Sequence, residues 1–253
     1  MIVGHPDKFK GVGLVAFIDI LGFSKEIENN WDNRKANPLK KILNLKKHLP
    51  KHTIKNIKKY QQDSKHNRTY ICRVQTISDS IIVSFGFEKE FIMGDFVLGM
   101  TAFFDTISVI WKNTIEVGFT IRGAVDFGKI YWDKKEIIGP AFIKAYRLEQ
   151  SHAKTSRVIL SSDFNKNLTN AYQTGNTLWD DHFLEFLRKD NDGYIILNPH
   201  KLYDNEEDKQ YLIKCLTALK LGAKSFDCEK YSPILASLHA EKYNLFKSDL
   251  GKY

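Results

Sequence analysis

Two aspartates in the first third of the chain stand in contexts that suit metal chemistry. Asp19 interrupts the apolar run LVAFIDILGFS just before a glycine, and Asp79 lies in QTISDSIIVSF between two β-rich segments. A carboxylate in an apolar run is costly unless it is paired or coordinates a metal. Two carboxylates at adjacent strand ends suit one or two Mg²⁺ or Mn²⁺ ions, which prefer oxygen ligands and leave coordination positions open for phosphate.

The residues after Asp19 favour a phosphate-binding turn. Gly22 ends the predicted strand, Ser24 is a candidate N-cap, and Ile27 is among the first apolar residues of a helix. Free N–H groups and the positive end of the helix dipole attract phosphate at such a helix start. A lone strand-end aspartate is more often a cap or turn residue, but pairing with Asp79 and the glycine turn favours a functional site.

The elements that must position these residues follow the order strand, helix, hairpin, helix, strand pair, helix, strand. The first strand is predicted over Leu14–Ile20, and the hairpin over Tyr70–Ile77 and Ser80–Phe85, joined by the dipeptide SD. Helical spacing runs through 39–49, 96–110 and 139–152, and a pair of strands is expected around Gly128. This order is typical of a ferredoxin-like β-α-β-β-α-β unit, an α+β fold whose antiparallel sheet carries helices on one face.

The remainder of the chain is less regular. From residue 165 onward we predict a strand at GYIILN and two helices, at about 206–221 and 229–247. No internal repeat or low-complexity linker divides the sequence. We therefore expect residues 1–253 to form one elaborated domain.

Composition indicates a globular protein, with 43% apolar and 13% aromatic residues in 253. Three cysteines without paired spacing argue against a disulfide framework. The start of the chain lacks a signal-peptide pattern, and the apolar stretch Phe96–Trp111 is interrupted by Asp105 and is shorter than the ~20 residues of a membrane span. We expect a soluble, cytoplasmic protein with no membrane partner.

The net charge of +8 is concentrated in one segment. Between Arg34 and Arg68 the chain has twelve Lys or Arg residues and a single acid, Asp63. Such a segment could bind nucleic acid through counterion release or attract nucleoside triphosphates. Because Tyr60 is its only aromatic residue and it has no nucleic-acid motif, a solvated lysine-rich surface is favoured and a nucleic-acid partner is not expected.

Four segments, in order, resemble the catalytic domain of the class III nucleotidyl cyclases. FIDILGFS is similar to the opening metal motif of that family, and TISDSIIVSF to its second metal segment, with Ser78-Asp79 in place of Gly-Asp. IRGAVDFGKI resembles the arginine-bearing strand pair, and GPAFIKAYRLE resembles the helix with the transition-state arginine. The resemblance covers residues 13–162, which would form the cyclase core, and leaves 163–253 as a C-terminal elaboration.

The resemblance implies a role for each matched residue. Asp19 and Asp79, with the backbone of Ile20, would hold two Mn²⁺ or Mg²⁺ ions, and Arg122 would bind the polyphosphate. The backbone of four consecutive residues would cradle phosphates, namely Ile20, Leu21, Gly22 and Phe23. Arg147 would stabilise the transition state in the active site of a partner copy, because the family's sites are shared across a head-to-tail homodimer. The alternatives are a buried, acid-paired strand arginine for Arg122 and an intrahelical pair or a solvated face for Arg147.

Three positions depart from the family pattern. Ile143 replaces an asparagine, Gln75 stands where the purine-selecting lysine falls, and Glu136 replaces its aspartate partner. With no sensor or membrane module visible, the chain most resembles the stand-alone cyclases of Pycsar antiphage systems, which make cyclic CMP or cyclic UMP for a separate effector protein. A purine cyclase of the same family and a catalytically degenerate module that binds a nucleotide or nucleic acid remain alternatives.

Overall fold

The computed structural model describes residues 2–5, 8–33, 37–47, 49, 70–87, 93–173, 181–223 and 225–240. Most of the lysine-rich Arg34–Arg68 segment, including Asp63 and Tyr60, therefore lies outside the described residues. Its function stays a prediction.

The described strands form one sheet. The strands are β1 (Ile2–His5), β2 (Phe9–Leu21), β3 (Tyr70–Ile77), β4 (Ser80–Phe87), β5 (Thr120–Trp132), β6 (Ile137–Ile138), β7 (Val158–Leu160), β8 (Leu187–Lys189) and β9 (Ile195–Leu197). Their order in the sheet is β1-β3-β4-β2-β5-β7-β9-β8, with β6 paired to β5. Every pairing is antiparallel except that of β5 with β7.

The helices connect and cover this sheet. They are α1 (Phe23–Asn30), α2 (38–47), α3 (Met93–Glu116), α4 (Pro140–His152), α5 (Ser162–Gln173), α6 (Glu206–Gly222) and α7 (Ser232–His239). The succession β2, α1 and α2, β3, β4, α3, β5, with sheet order β3-β4-β2-β5, confirms the predicted α+β, ferredoxin-like class. In the described part of the chain, no helix combines the length and apolarity needed to span a bilayer.

The central strand β2 divides its side chains between two cores. Leu14, Ile18 and Ile20 are fully or almost fully buried on the face covered by α3, whereas Val15 and Phe17 point to the face covered by α4. This alternation follows from the two-residue period of a strand. The expectation that the helices share one face was therefore wrong, because the small residues Ala141 and Ala145 let α4 pack on the opposite face.

The strand pair predicted around Gly128 is also wrong, because β5 is one continuous strand of 13 residues. Gly128 lies opposite Gly13 of β2, and a Cβ atom on Gly128 would lie 3.6 Å from the Cβ of Ala141 in α4. The glycine thus marks a close helix approach to the sheet and not a turn.

The C-terminal region extends the sheet and the core. The predicted strand GYIILN is confirmed as β9, and α6 falls close to the predicted helix. The helix predicted at about 229–247 is wrong at its start, where a 3-10 turn over Ser225–Lys230 precedes α7. The cause is Pro233, which is tolerated only in the first turn of a helix, and residues beyond 240 lie outside the description.

Candidate active site

Asp19 lies on the sheet face covered by α4 and is the last residue of β2 that pairs with β4. Its cross-strand neighbours are Ser80 on β4 and Arg122 on β5. The Nε and a terminal nitrogen of Arg122 lie 3.0 and 2.9 Å from Oδ2 of Asp19. The partly buried carboxylate is therefore compensated by an arginine directly across the strand pair.

Arg122 also reaches a second carboxylate that the sequence reasoning did not single out. Its Nε lies 3.0 Å from Oε1 of Glu149, a fully buried residue of α4. The guanidinium thus lies between two acids, one on the neighbouring strand and one on the helix above. A buried, acid-paired strand arginine was the alternative role for Arg122; the structure pairs it with two acids but leaves it only partly buried.

The pKa values in this cluster reflect burial opposed by charge. Burial raises the pKa of Asp19, the Arg122 guanidinium counteracts that rise, and the nearby Asp79 charge adds to it. Burial likewise raises the pKa of Glu149, again against Arg122 and with a contribution from Asp19. The Asp19 carboxylate is therefore repelled by Asp79 and itself repels Glu149, and the attraction of the Arg122 guanidinium partly offsets both repulsions.

Asp79 lies in the two-residue turn between β3 and β4, as the hairpin prediction required. Ser78, before it, has a left-handed backbone (φ 50°), and the N–H of Ile20 donates to the Asp79 carbonyl oxygen at 3.1 Å. The Lys46 ammonium donates to the Ser78 carbonyl; burial lowers the pKa of Lys46 and the Asp79 charge opposes this. The turn is thereby fixed against the end of β2, which brings the two predicted carboxylates into one region.

The carboxylate oxygens of Asp19 and Asp79 are suitable ligands for a divalent cation, but they are too few to complete its coordination. Oδ1 of Asp19 has no hydrogen bond or ion pair to any described residue, and its carboxylate interacts unfavourably with that of Asp79. Oxygen donors of this kind suit Mg²⁺ or Mn²⁺. Within the described ranges, however, no group of three or more His, Cys, Asp or Glu residues converges, so substrate oxygens or water would have to complete the coordination.

Fewer residues of the predicted phosphate cradle have a free backbone N–H group than expected. The N–H of Ile20 is already bonded to Asp79, so only its carbonyl remains as a possible metal ligand, and Leu21 is still paired with β5 opposite Thr120. Gly22 has φ 85° and acts as the N-cap of α1 without a side-chain cap. The free N–H groups therefore belong to the first turn of α1, which begins at Phe23.

The predicted N-cap at Ser24 is wrong. The N-cap is Gly22, two residues earlier, because the left-handed conformation of Gly22 ends the strand and starts the helix within one residue. The N–H of Ser24 thus belongs to the first turn, among the donors available to an anion.

Residues of the C-terminal region contact the start of α1. The Lys25 ammonium pairs with Asp227, which also pairs with Lys230 at 2.7 Å. A Cβ atom on Gly22 would lie 3.3 Å from the Tyr231 hydroxyl. The region after residue 163, whose function the sequence left open, therefore helps to hold α1 in place.

Arg147 is exposed on α4 and contacts neither Asp19 nor Asp79 within this chain. It lies on the solvent side of the helix with Ile143 and Tyr146, which are 44% and 45% exposed, while Glu149 faces the sheet. The solvated face was one of its alternative roles. In this chain α4 contributes Glu149, and not Arg147, to the carboxylate cluster.

The two predicted base-selecting positions lie next to each other. Gln75 is on β3, on the same sheet face as Asp19, and its amide nitrogen is 3.5 Å from the Lys135 carbonyl oxygen. Glu136 follows in the same turn and is exposed. Beneath Gln75 lies the buried Arg73, a residue that the sequence reasoning missed although its i, i+2 spacing placed it on the same face.

No family model and no curated protein matches the chain. Among solved structures it is similar, at 15% identity and a TM-score of 0.40, to the catalytic core of a rhodopsin-guanylyl cyclase with converted specificity in complex with ATPalphaS, over 76% of this chain and 98% of that one. It is also similar, at 12% identity and a TM-score of 0.42, to a class III adenylyl cyclase-like ATP-binding protein from Pseudomonas aeruginosa, over 91% of this chain and 43% of that one. Similarity at this level carries no functional conclusion.

Proposed function

We propose that this protein is a metal-dependent nucleotidyl cyclase. Its substrate would be a pyrimidine nucleoside triphosphate, CTP or UTP, and its products the 3′,5′-cyclic monophosphate and pyrophosphate. One observation carries the proposal: the bond from the Ile20 N–H to the Asp79 carbonyl holds the turn that bears Asp79 against the end of β2, near Asp19 and Arg122 and shortly before the uncapped start of α1. Carboxylates, an arginine and free N–H groups are together the groups that a triphosphate and its cations require.

The residues divide the work of the reaction. The 3′-oxygen of the ribose attacks the α-phosphorus, its proton is lost, and the bond from that phosphorus to the β-phosphate oxygen breaks as pyrophosphate leaves. Mn²⁺ or Mg²⁺, held by Asp19, Asp79 and the Ile20 carbonyl, would supply activation of the attacking oxygen and charge neutralisation at the phosphates. The N–H groups of Phe23 and Ser24, in the first turn of α1, would bind phosphate oxygens.

Arg122 has a double role in this scheme. Before substrate binds, its guanidinium pairs with both Asp19 and Glu149. The same guanidinium, 23% exposed, would extend donors to the polyphosphate while Glu149 keeps it in place. An arginine suits both tasks because its fork has five N–H donors, which a lysine does not have.

A head-to-tail homodimer would supply the missing arginine. Arg147 lies outside the carboxylate cluster of its own chain, and the exposed Ile143 and Tyr146 beside it give α4 an apolar surface that a second copy could cover. In such a dimer each Arg147 would act at the partner's α-phosphate. The cyclic product would then serve as a second messenger for a separate effector protein in antiphage defence.

Ile143 favours a second candidate, a cyclase-like module that binds nucleotides without turnover. The family asparagine at this position is polar, whereas Ile143 offers no hydrogen bond to a ribose. Incubation of the purified protein with Mn²⁺ and each of the four NTPs, followed by mass spectrometry, separates the candidates. We expect a cyclic pyrimidine nucleotide; nucleotide binding without any cyclic product would support the inactive module instead.

A further inference from the structure

The orientation of the Gln75 side-chain amide is fixed by the residue beneath it. Arg73 is only 2% exposed, and a terminal nitrogen of its guanidinium donates to Oε1 of Gln75 at 3.1 Å. A guanidinium has donors and no acceptor, so the amide atom that faces it must be the oxygen. The amide nitrogen of Gln75 therefore faces away from Arg73.

Arg73 also interacts electrostatically with Asp133, in the turn that follows β5. Burial lowers the pKa of Arg73, and the Asp133 charge opposes that shift. The Asp133 carboxylate accepts from the N–H groups of Lys135 and Glu136 at 2.8 and 2.9 Å and from the Tyr131 hydroxyl at 2.8 Å. These bonds hold the pKa of Asp133 at about 2, so the carboxylate is ionised across the working range of pH.

The same turn limits what the amide nitrogen of Gln75 can do. One of its two N–H groups faces the Lys135 carbonyl at 3.5 Å, and the other has no described protein partner. Gln75 is otherwise the most adaptable kind of side chain for reading a base, since a free amide can rotate to donate or to accept. Arg73 removes the second option.

We propose that Arg73 is a positioning residue for base selection, because it locks Gln75 as a hydrogen-bond donor toward the nucleotide. The base would then be recognised through an acceptor atom, a ring nitrogen or a carbonyl oxygen, and never through an amine placed against Gln75. This inference rests on the proposed nucleotide-binding function and adds to it a determinant of which base is bound.

The decisive change is Gln75→Glu. The carboxylate keeps the bond to Arg73, but its second oxygen presents an acceptor where the amide presented a donor. We expect the ratio of kcat/KM between the best and the next-best NTP to fall about fivefold to tenfold or to invert, since a lost or opposed hydrogen bond has an effect of this size. An unchanged ratio would show that Gln75 does not contact the base.

Arg73→Met tests whether Arg73 fixes the orientation of the Gln75 amide. The amide of Gln75 can then rotate, so the selectivity ratio should fall toward one, and the double variant with Gln75→Glu should show less than the product of the two single effects. Arg73→Lys, which retains a donor, should keep more of the ratio than Arg73→Met. If Arg73→Met keeps the ratio of the parent protein, Arg73 has only a structural role and the proposal is wrong.

Two controls separate this proposal from the proposed function. Arg188→Met removes a partly buried strand arginine on β8, and Gln210→Glu makes the same chemical change on α6; neither should alter the ratio. Calorimetric binding of each NTP with Ca²⁺ measures base preference without turnover. Absence of a cyclic product would overturn the cyclase, whereas binding that does not distinguish the bases would overturn the role of Arg73. If Arg73→Met does not fold, Gln75→Glu and Arg73→Lys decide the matter.

Discussion

At the scale of single residues, the Arg122 guanidinium determines both the stability and the charge of the site. It joins Asp19 and Glu149, two carboxylates from different elements that burial would otherwise penalise. Removing one member of a buried ion-pair cluster lowers the free energy of unfolding more than replacing the whole cluster with apolar residues does, because the remaining charges lose their compensation.

Arg122→Met should therefore destabilise the protein by about 3 kcal/mol at pH 7. The pKa values of Asp19 and Glu149 are already raised in the folded protein and would rise further without the guanidinium. A raised folded-state pKa favours folding as pH falls, so the deficit should shrink between pH 7 and pH 5. Urea unfolding at both pH values measures it.

The double variant Arg122→Met with Glu149→Gln serves as the control for this experiment. Because the fully buried charge is then absent, part of the lost stability should return at pH 7. A deficit in Arg122→Met that does not change with pH would contradict the electrostatic explanation.

Some residues of the site were predictable from the sequence, and others were not. Asp19, Asp79 and Arg122 were identified because each interrupts an apolar segment or matches a motif. The contact between Glu149 and Arg122 was not predicted, because it depends on how α4 crosses the sheet. Arg73 was overlooked for a similar reason, since the burial of a strand arginine depends on tertiary packing and not on local pattern.

At the scale of elements, Gly22 joins the strand that bears Asp19 to the helix that would bind phosphate. The hairpin and most helix positions were predictable, because alternation and helical spacing are local signals. Gly128 and Ser24 were misinterpreted, since a glycine can mark close packing as well as a turn and a left-handed residue can replace a side-chain cap.

Gly22→Ala should weaken both the fold and triphosphate binding. A non-glycine residue at φ 85° costs about 1 kcal/mol, and the added Cβ would contact the Tyr231 hydroxyl. Gly193→Ala is the matched control, because Gly193 has φ 90° and open space around its Cβ position.

Both variants should lose similar stability in urea unfolding, and only Gly22→Ala should lose affinity for NTP in calorimetry. Equal NTP affinity in the two variants would count against a phosphate-binding role for the start of α1.

At the scale of the whole molecule, one sheet and one continuous core join the predicted cyclase core to the C-terminal region. The hydrophobic core continues from β2 to α7, so the region after residue 163 packs with the predicted cyclase core. The division at residues 13–162 and 163–253 remains a prediction. Arg147 does not contact the carboxylates of its own chain, and the proposed dimer would supply it from the partner.

Mixing two inactive variants tests this dimer. Asp79→Ala lacks a predicted metal ligand and Arg147→Ala lacks the predicted transition-state arginine, so each homodimer should be inactive. A mixed dimer contains one site with both residues intact and one site with neither. Random mixing makes about half of the dimers mixed, so we expect turnover to return to about a quarter of the parent activity. No recovery in a mixture shown by native mass spectrometry to contain heterodimers would exclude shared sites.

The most direct test of the central claim measures both products of the reaction at once. With Mn²⁺ and a pyrimidine triphosphate, the protein should release pyrophosphate and a 3′,5′-cyclic nucleotide in equal amounts. Asp19→Ala should release neither while retaining its circular dichroism spectrum. Release of pyrophosphate without cyclic nucleotide, or unchanged cyclisation in Asp19→Ala, would contradict the account.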